Sequence, residues 1–224
     1  MRPLFCVLAV VAGVLGLASC GFTSGETYRY RITVEVDTPQ GVRSGSSVWE
    51  TRSWEGSGIP DRGIRSRNRG EAVAVDLPGG TLFALLRAQD MNVNYVDGLV
   101  PGHLDAHPQP GAEVVRDWKE RQRLIVKTRP AFELSPDEYP LLVRFRDINN
   151  PASVEKVTPG DLEASFGPGV RLKRIMVAVT DDGVTTGIAT RLPWLDHLEK
   201  YRRTPDNPFT SRLPTEIGSL RQKD

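Results

Sequence analysis

His103 and His107, four residues apart in His103-Leu104-Asp105-Ala106-His107, have types and a spacing that could do chemistry. On a helix that spacing puts both imidazoles on one side, which is how zinc hydrolases hold their metal. The surroundings argue against it. Pro101-Gly102 precede the pair and Pro108 follows, so an exposed loop is expected, and Leu104 stands where a general-base glutamate would follow the first histidine. His103 and His107 are metal candidates by spacing alone, and no metal or other cofactor is expected.

The other candidates divide in the same way. Asp90, Asn92 and Asn94 match the first oxygen ligands of a calcium loop, but Tyr95 replaces its glycine and Pro101 its bidentate glutamate. Ser153 and Lys156 have the Ser-x-x-Lys spacing of penicillin-binding enzymes, yet no Lys-Thr-Gly follows them; Lys127-Thr128-Arg129 precedes them and ends wrongly. Gly56-Ser57-Gly58 lacks the spacing of a nucleophile elbow and reads as a flexible loop. Arg62, Arg65, Arg67 and Arg69 are candidate anion-binding residues, because guanidinium forms bidentate bonds to phosphate and carboxylate oxygens; solvated loop arginines are the plainer account. Trp49 and Trp54 could stack on sugar rings, but their odd offset puts them on opposite faces of a strand, so one core ring and one exposed ring are expected.

The N-terminus carries a different kind of chemistry. Met1-Arg2-Pro3 is a short positive segment, followed by an apolar run from Leu4 to Ala18 and then Ser19-Cys20-Gly21. The run is shorter than the roughly 20 apolar residues that span a bilayer, and it stops at small residues suited to a protease subsite. Leu17-Ala18-Ser19-Cys20 closely resembles the lipobox of bacterial lipoproteins. That resemblance implies a signal peptide over 1–19. It also implies that Cys20 takes a diacylglyceryl group on its thiol, and a fatty acyl group such as palmitate on the amine freed by cleavage. Gly21 follows the cysteine, and aspartate there favours inner-membrane retention in enterobacterial lipoproteins. In a double-membraned host the resemblance therefore implies the outer membrane, with the domain facing the periplasm.

Cys6, the other cysteine, lies in the discarded segment, so the mature domain has no thiol left for a disulfide and depends on its core. A 224-residue chain suffices, since a domain of this size buries roughly 70% of its unfolded surface. Cleavage removes Arg2 and no acidic residue, leaving 28 basic against 28 acidic side chains, and this balance points to no nucleic-acid partner.

The elements that must position these residues are mostly strands. Residues 20–27 read as lipidated cysteine and tether. Tyr28, Tyr30, Ile32, Val34 and Val36 alternate with polar residues, and Thr38-Pro39-Gln40-Gly41 turns the chain into a returning strand over 42–54. A second hairpin is expected over 71–77 and 81–86 around Pro78-Gly79-Gly80, with strands also at 124–128, 141–146 and 170–180. Short helices are expected over part of 113–122, from the Thr158-Pro159 start, and around Trp194, Leu195, Leu198 and Tyr201. Residues 98–111 read as a long loop that could divide the 28–201 domain into two lobes, and 202–224 as a polar tail. The fold class is mostly β, or α+β: antiparallel, sandwich-like sheets with two or three short helices. Stretches around 28–41, 71–86 and 167–195, including Phe166-Gly167-Pro168-Gly169 and Thr185-Thr186-Gly187-Ile188, resemble uncharacterised bacterial proteins, which implies no activity.

The expectation is a lipid-anchored envelope protein, more binding module than enzyme, with a protein, polysaccharide or lipid partner besides the membrane. The alternatives are an envelope hydrolase that gathers Asp90, Asp97, His103, His107 and Asp181 in its fold, and a small-ligand carrier with an apolar cavity.

Overall fold

The computed structural model describes residues 25–56, 63–89, 95–108, 115–201 and 220–222. Cys20, Ser57, Gly58, Arg62, Asp90, Asn92, Asn94 and residues 202–219 lie outside them. The alternating segment is strand β1 (Glu26–Thr38), with Tyr30, Ile32, Val34 and Val36 fully buried. Gly41, at φ 105°, closes the turn into β2 (Gly41–Glu55), which pairs antiparallel with β1 from Thr38↔Gly41 to Glu26↔Ser53. The second hairpin is β4 (Val73–Leu77) and β5 (Gly80–Ala88), preceded by β3 (Ile64–Glu71).

The remaining strands are β6 (Ala131–Glu133), β7 (Pro140–Phe145), β8 (Val154–Lys156), β9 (Arg171–Thr180) and β10 (Arg221–Gln222). They form two antiparallel sheets, a six-stranded one in the order β10-β3-β2-β1-β9-β6 and a four-stranded one in the order β4-β5-β7-β8. Among the described residues, four short α-helices complete a mostly β, α+β architecture: α1 (Tyr95–Ala106), α2 (Trp118–Thr128), α3 (Glu163–Phe166) and α4 (Ile188–Arg191). The large sheet buries mainly one face, although β2 is buried on both faces from Ser47 to Thr51, and β5 is buried along both faces from Leu82 to Ala88. Gly45 of β2 lies so close to the Ala74 carbonyl of β4 that a Cβ there would clash, so glycine permits this approach of the two sheets. Trp49 is fully buried and donates its indole N–H to the Glu71 carbonyl at 2.8 Å; Trp54 is half-buried.

Several sequence expectations are corrected. Residues 95–106 are helix, not loop. Pro101 cannot donate to the Asp97 carbonyl, but the Tyr28 hydroxyl of β1 approaches that oxygen at 3.5 Å, and Tyr30 donates to the neighbouring Val96 carbonyl at 2.7 Å. Tyr95, Val96, Leu99 and Val100 are buried, so tertiary packing overrides the proline. Residues 124–128 are the end of α2 rather than a strand: Asp117 caps its start by accepting from the Glu120 N–H at 2.8 Å, and Arg129 closes it in the left-handed region. The helix expected to start at Thr158 begins instead at Glu163, because Thr158 to Asp161 close a turn and the Asp161 carboxylate accepts from the Ala164 N–H. The arginine-rich segment is strand β3 from residue 64 onward.

Candidate functional site

Because 95–106 are helical, His103 and His107 come together. The His107 N–H donates to the His103 carbonyl at 2.9 Å, carrying helical geometry one turn on, and the two rings lie 4.5 Å apart between centroids. The carboxylate beside them is Glu138. His103 Nδ1 lies 2.8 Å from Glu138 Oε1 and 3.0 Å from Oε2, and both side chains are largely buried. The His103 ring also stacks on Phe132 of β6, 3.7 Å between centroids at an angle of 6°.

Glu138 is held by local chemistry. It ends a single 3₁₀ turn, Pro136–Glu138, whose N-cap is Ser135, and its Oε2 accepts from the Ser135 N–H at 2.9 Å and hydroxyl at 2.7 Å. Burial raises the Glu138 carboxyl, but the hydrogen bonds from Ser135 and His103 outweigh it and hold the group below the usual carboxylate range. Ligand atoms of His103, His107 and Glu138 all lie within 4.8 Å of one another, a set that could hold a cation preferring nitrogen and oxygen. Ser135-Pro136-Asp137-Glu138 is legible in the sequence as a capping box; its pairing with His103 across 35 residues is not.

Of the acid-base set expected from sequence, His103 and His107 meet, but among the described residues Asp97 and Asp181 are engaged elsewhere. Asp97 accepts from the Asn68 side chain at 3.1 Å, Asp181 pairs with Arg129, and Asp90 lies outside the described residues. Ser153 uses its hydroxyl to bond the Asp147 and Asn150 carbonyls at 2.8 and 2.7 Å, which fixes a turn.

A second constellation lies on the large sheet. Arg65, Arg67 and Arg69 are alternate residues of β3 and so share one face, with Trp54, Arg52 and Glu50 of β2 directly opposite them. Arg29 of β1 lies across from Glu50, and Arg31 is two residues further on. This face is the one turned away from the core, since Tyr28 and Tyr30 fill the other. Glu50 bonds Arg29 at 2.6 Å and Arg69 at 3.4 Å, and Arg31 pairs with Asp182 at 2.7 Å. Arg52 and Arg67 are both exposed and are register partners across β2 and β3, and the Arg52 side chain leans over Gly25 on the β1 side. The three described members of the sequence-predicted arginine group are thus ordered on a strand, and the structure adds Arg29, Arg31 and Arg52.

A cleft borders the same sheet, lined by Arg69, Glu71, Thr185, Thr186, Asp196 and Arg221. Glu71 is buried there and accepts from the Ile188 N–H at 2.7 Å, which ties the start of α4 to β3. Comparison of the chain with protein-family models, with curated proteins and with solved structures finds no match.

Proposed function

We propose that this chain is a lipid-anchored envelope protein, tethered through Cys20, whose β-rich domain is a binding module that rests its arginine face on anionic lipid headgroups. The observation that carries this reading is the Arg52–Arg67 pair, with Arg29, Arg31, Arg65 and Arg69 around it, beside the start of β1. Like charges directly opposite on neighbouring strands are unfavourable. A phosphate between them removes that cost and accepts bidentate bonds from both guanidinium groups.

Position supports the same partner. Five residue steps separate Cys20 from Gly25, so the tether spans at most about 18 Å. Arg52 lies opposite Thr27, at the tethered end of β1. That end also carries α2, which has four cationic residues and one anionic residue, and which bonds Glu26 through Arg123 at 3.1 Å and Ser53 through Gln122 at 2.9 Å. Ile64, Leu124 and Val126, three of the four exposed large apolar side chains among the described residues, are at this end too. Two or three acyl chains hold a protein firmly to a bilayer, and each arginine near an anionic surface adds about 1 kcal/mol.

The test uses the chain from Gly21 onward, so that binding can come neither from acylation nor from the apolar segment before Cys20. It should sediment with vesicles containing phosphatidylglycerol and not with pure phosphatidylcholine vesicles, and the binding should weaken steeply with salt. Arg52→Gln with Arg67→Gln removes about 2 kcal/mol, roughly 30-fold in affinity. Equal capture by both vesicle types, or no effect of the double substitution, would contradict the headgroup reading.

A further inference from the structure

We propose that His103, His107 and Glu138 form a binding site for one divalent transition-metal ion of the zinc class. The chain has three histidines, and two of them meet here, His103 in the last turn of α1 and His107 directly after its end. The third ligand is a carboxylate, which gives two nitrogens and an oxygen, the donor set of zinc sites that keep one position open. The ligand atoms already lie within 4.8 Å of one another, so closing on an ion needs side-chain adjustment rather than movement of the backbone.

The site is built from both sides. Phe132 fixes the plane of the His103 ring by stacking, and Ser135 holds Glu138 Oε2 with two hydrogen bonds, leaving Oε1 with His103 as its partner. Tyr95, at the opposite end of α1, donates its hydroxyl to the Glu138 carbonyl at 2.7 Å, so the helix and the 3₁₀ turn are joined at two points. This is the supporting shell that a ligand set needs to keep its orientation. His107 is exposed, so the ion would face solvent on the His107 side and could take a water or an exogenous ligand there. The inference stands on these residues alone and does not depend on the lipid anchor or on the arginine face.

Thiolates would confuse the measurement, so Cys6→Ser and Cys20→Ser are introduced in the full-length chain before Zn²⁺ is titrated by calorimetry and the purified protein is assayed for bound metal. The expected result is one equivalent of Zn²⁺, lost in His107→Gln and in Glu138→Gln and retained in His197→Gln. His107 is exposed, so its variant removes a ligand without touching the core. Circular dichroism checks that each variant is folded. A chain that binds no Zn²⁺, or one whose binding survives both His107→Gln and Glu138→Gln, overturns the proposal.

Discussion

Arg52 and Arg67 are register partners across β2 and β3, where a like-charge pair costs roughly 0.2–1 kcal/mol. Arg67→Thr is therefore expected to raise the thermal midpoint slightly while weakening capture by anionic vesicles; a lower midpoint would assign Arg67 a structural role instead. The Asp76–Arg191 pair behaves oppositely. Arg191 of α4 donates to both Asp76 oxygens at 2.7 and 3.0 Å, and this bond, with help from Thr81, holds the Asp76 carboxyl below its ordinary value of 3.8. A carboxylate lowered in the folded state adds stability above its unfolded pKa and loses that stability as the pH falls through the folded value. Asp76→Asn should thus lower the stability at pH 7 by about 0.2–1 kcal/mol, as for other exposed pairs, and the gap from the parent chain should close as the pH falls below 3.8 and through the lowered folded value. A gap that persists in acid would mean that the carboxylate charge is not what matters.

The two sheets approach closely where Gly45 of β2 passes the Ala74 carbonyl of β4. Gly45→Ala should cost about 1–3 kcal/mol, read as a lower urea midpoint, because the added methyl forces the sheets apart. Elements whose own sequence matched their environment were legible. β1, its turn and the β4–β5 hairpin alternate, turn or run apolar as their burial demands, and they stand within two residues of their expected ends. Elements that depend on a partner were not. α1 contains Pro101, and it is the β1 tyrosines, about 70 residues earlier, that bond the carbonyls around the break. In α2, Leu124-Ile125-Val126 looks like a strand, but only Ile125 is buried, and the Asp117 and Arg129 caps decide the geometry. β3 has no apolar alternation because pairing with β2 holds it and its arginines face outward. The candidate sites follow the same division: the histidine spacing and the β3 arginines could be read from the chain, but Glu138, Arg29 and Arg52 join them only through tertiary contacts.

The whole molecule has 29 basic and 28 acidic side chains, so its net charge gives no hint of a preferred surface. The hint lies in the distribution, with arginines collected on the outward face of the six-stranded sheet and cations on α2 beside the tethered end of β1. No helix among the described residues is long and apolar enough to cross a membrane; attachment through Cys20, reinforced by the charged face, is the proposal. The account stands or falls on that attachment. The most direct measurement is to express the full-length chain and its Cys20→Ser variant in a bacterium, fractionate the membranes, and record the intact mass of each product. The account predicts a membrane-bound protein that begins at Cys20 and carries acyl mass, with both the acyl mass and the cleavage absent from the variant. A product that carries no acyl mass, or one that is cleaved at the same place with and without the cysteine, would contradict it.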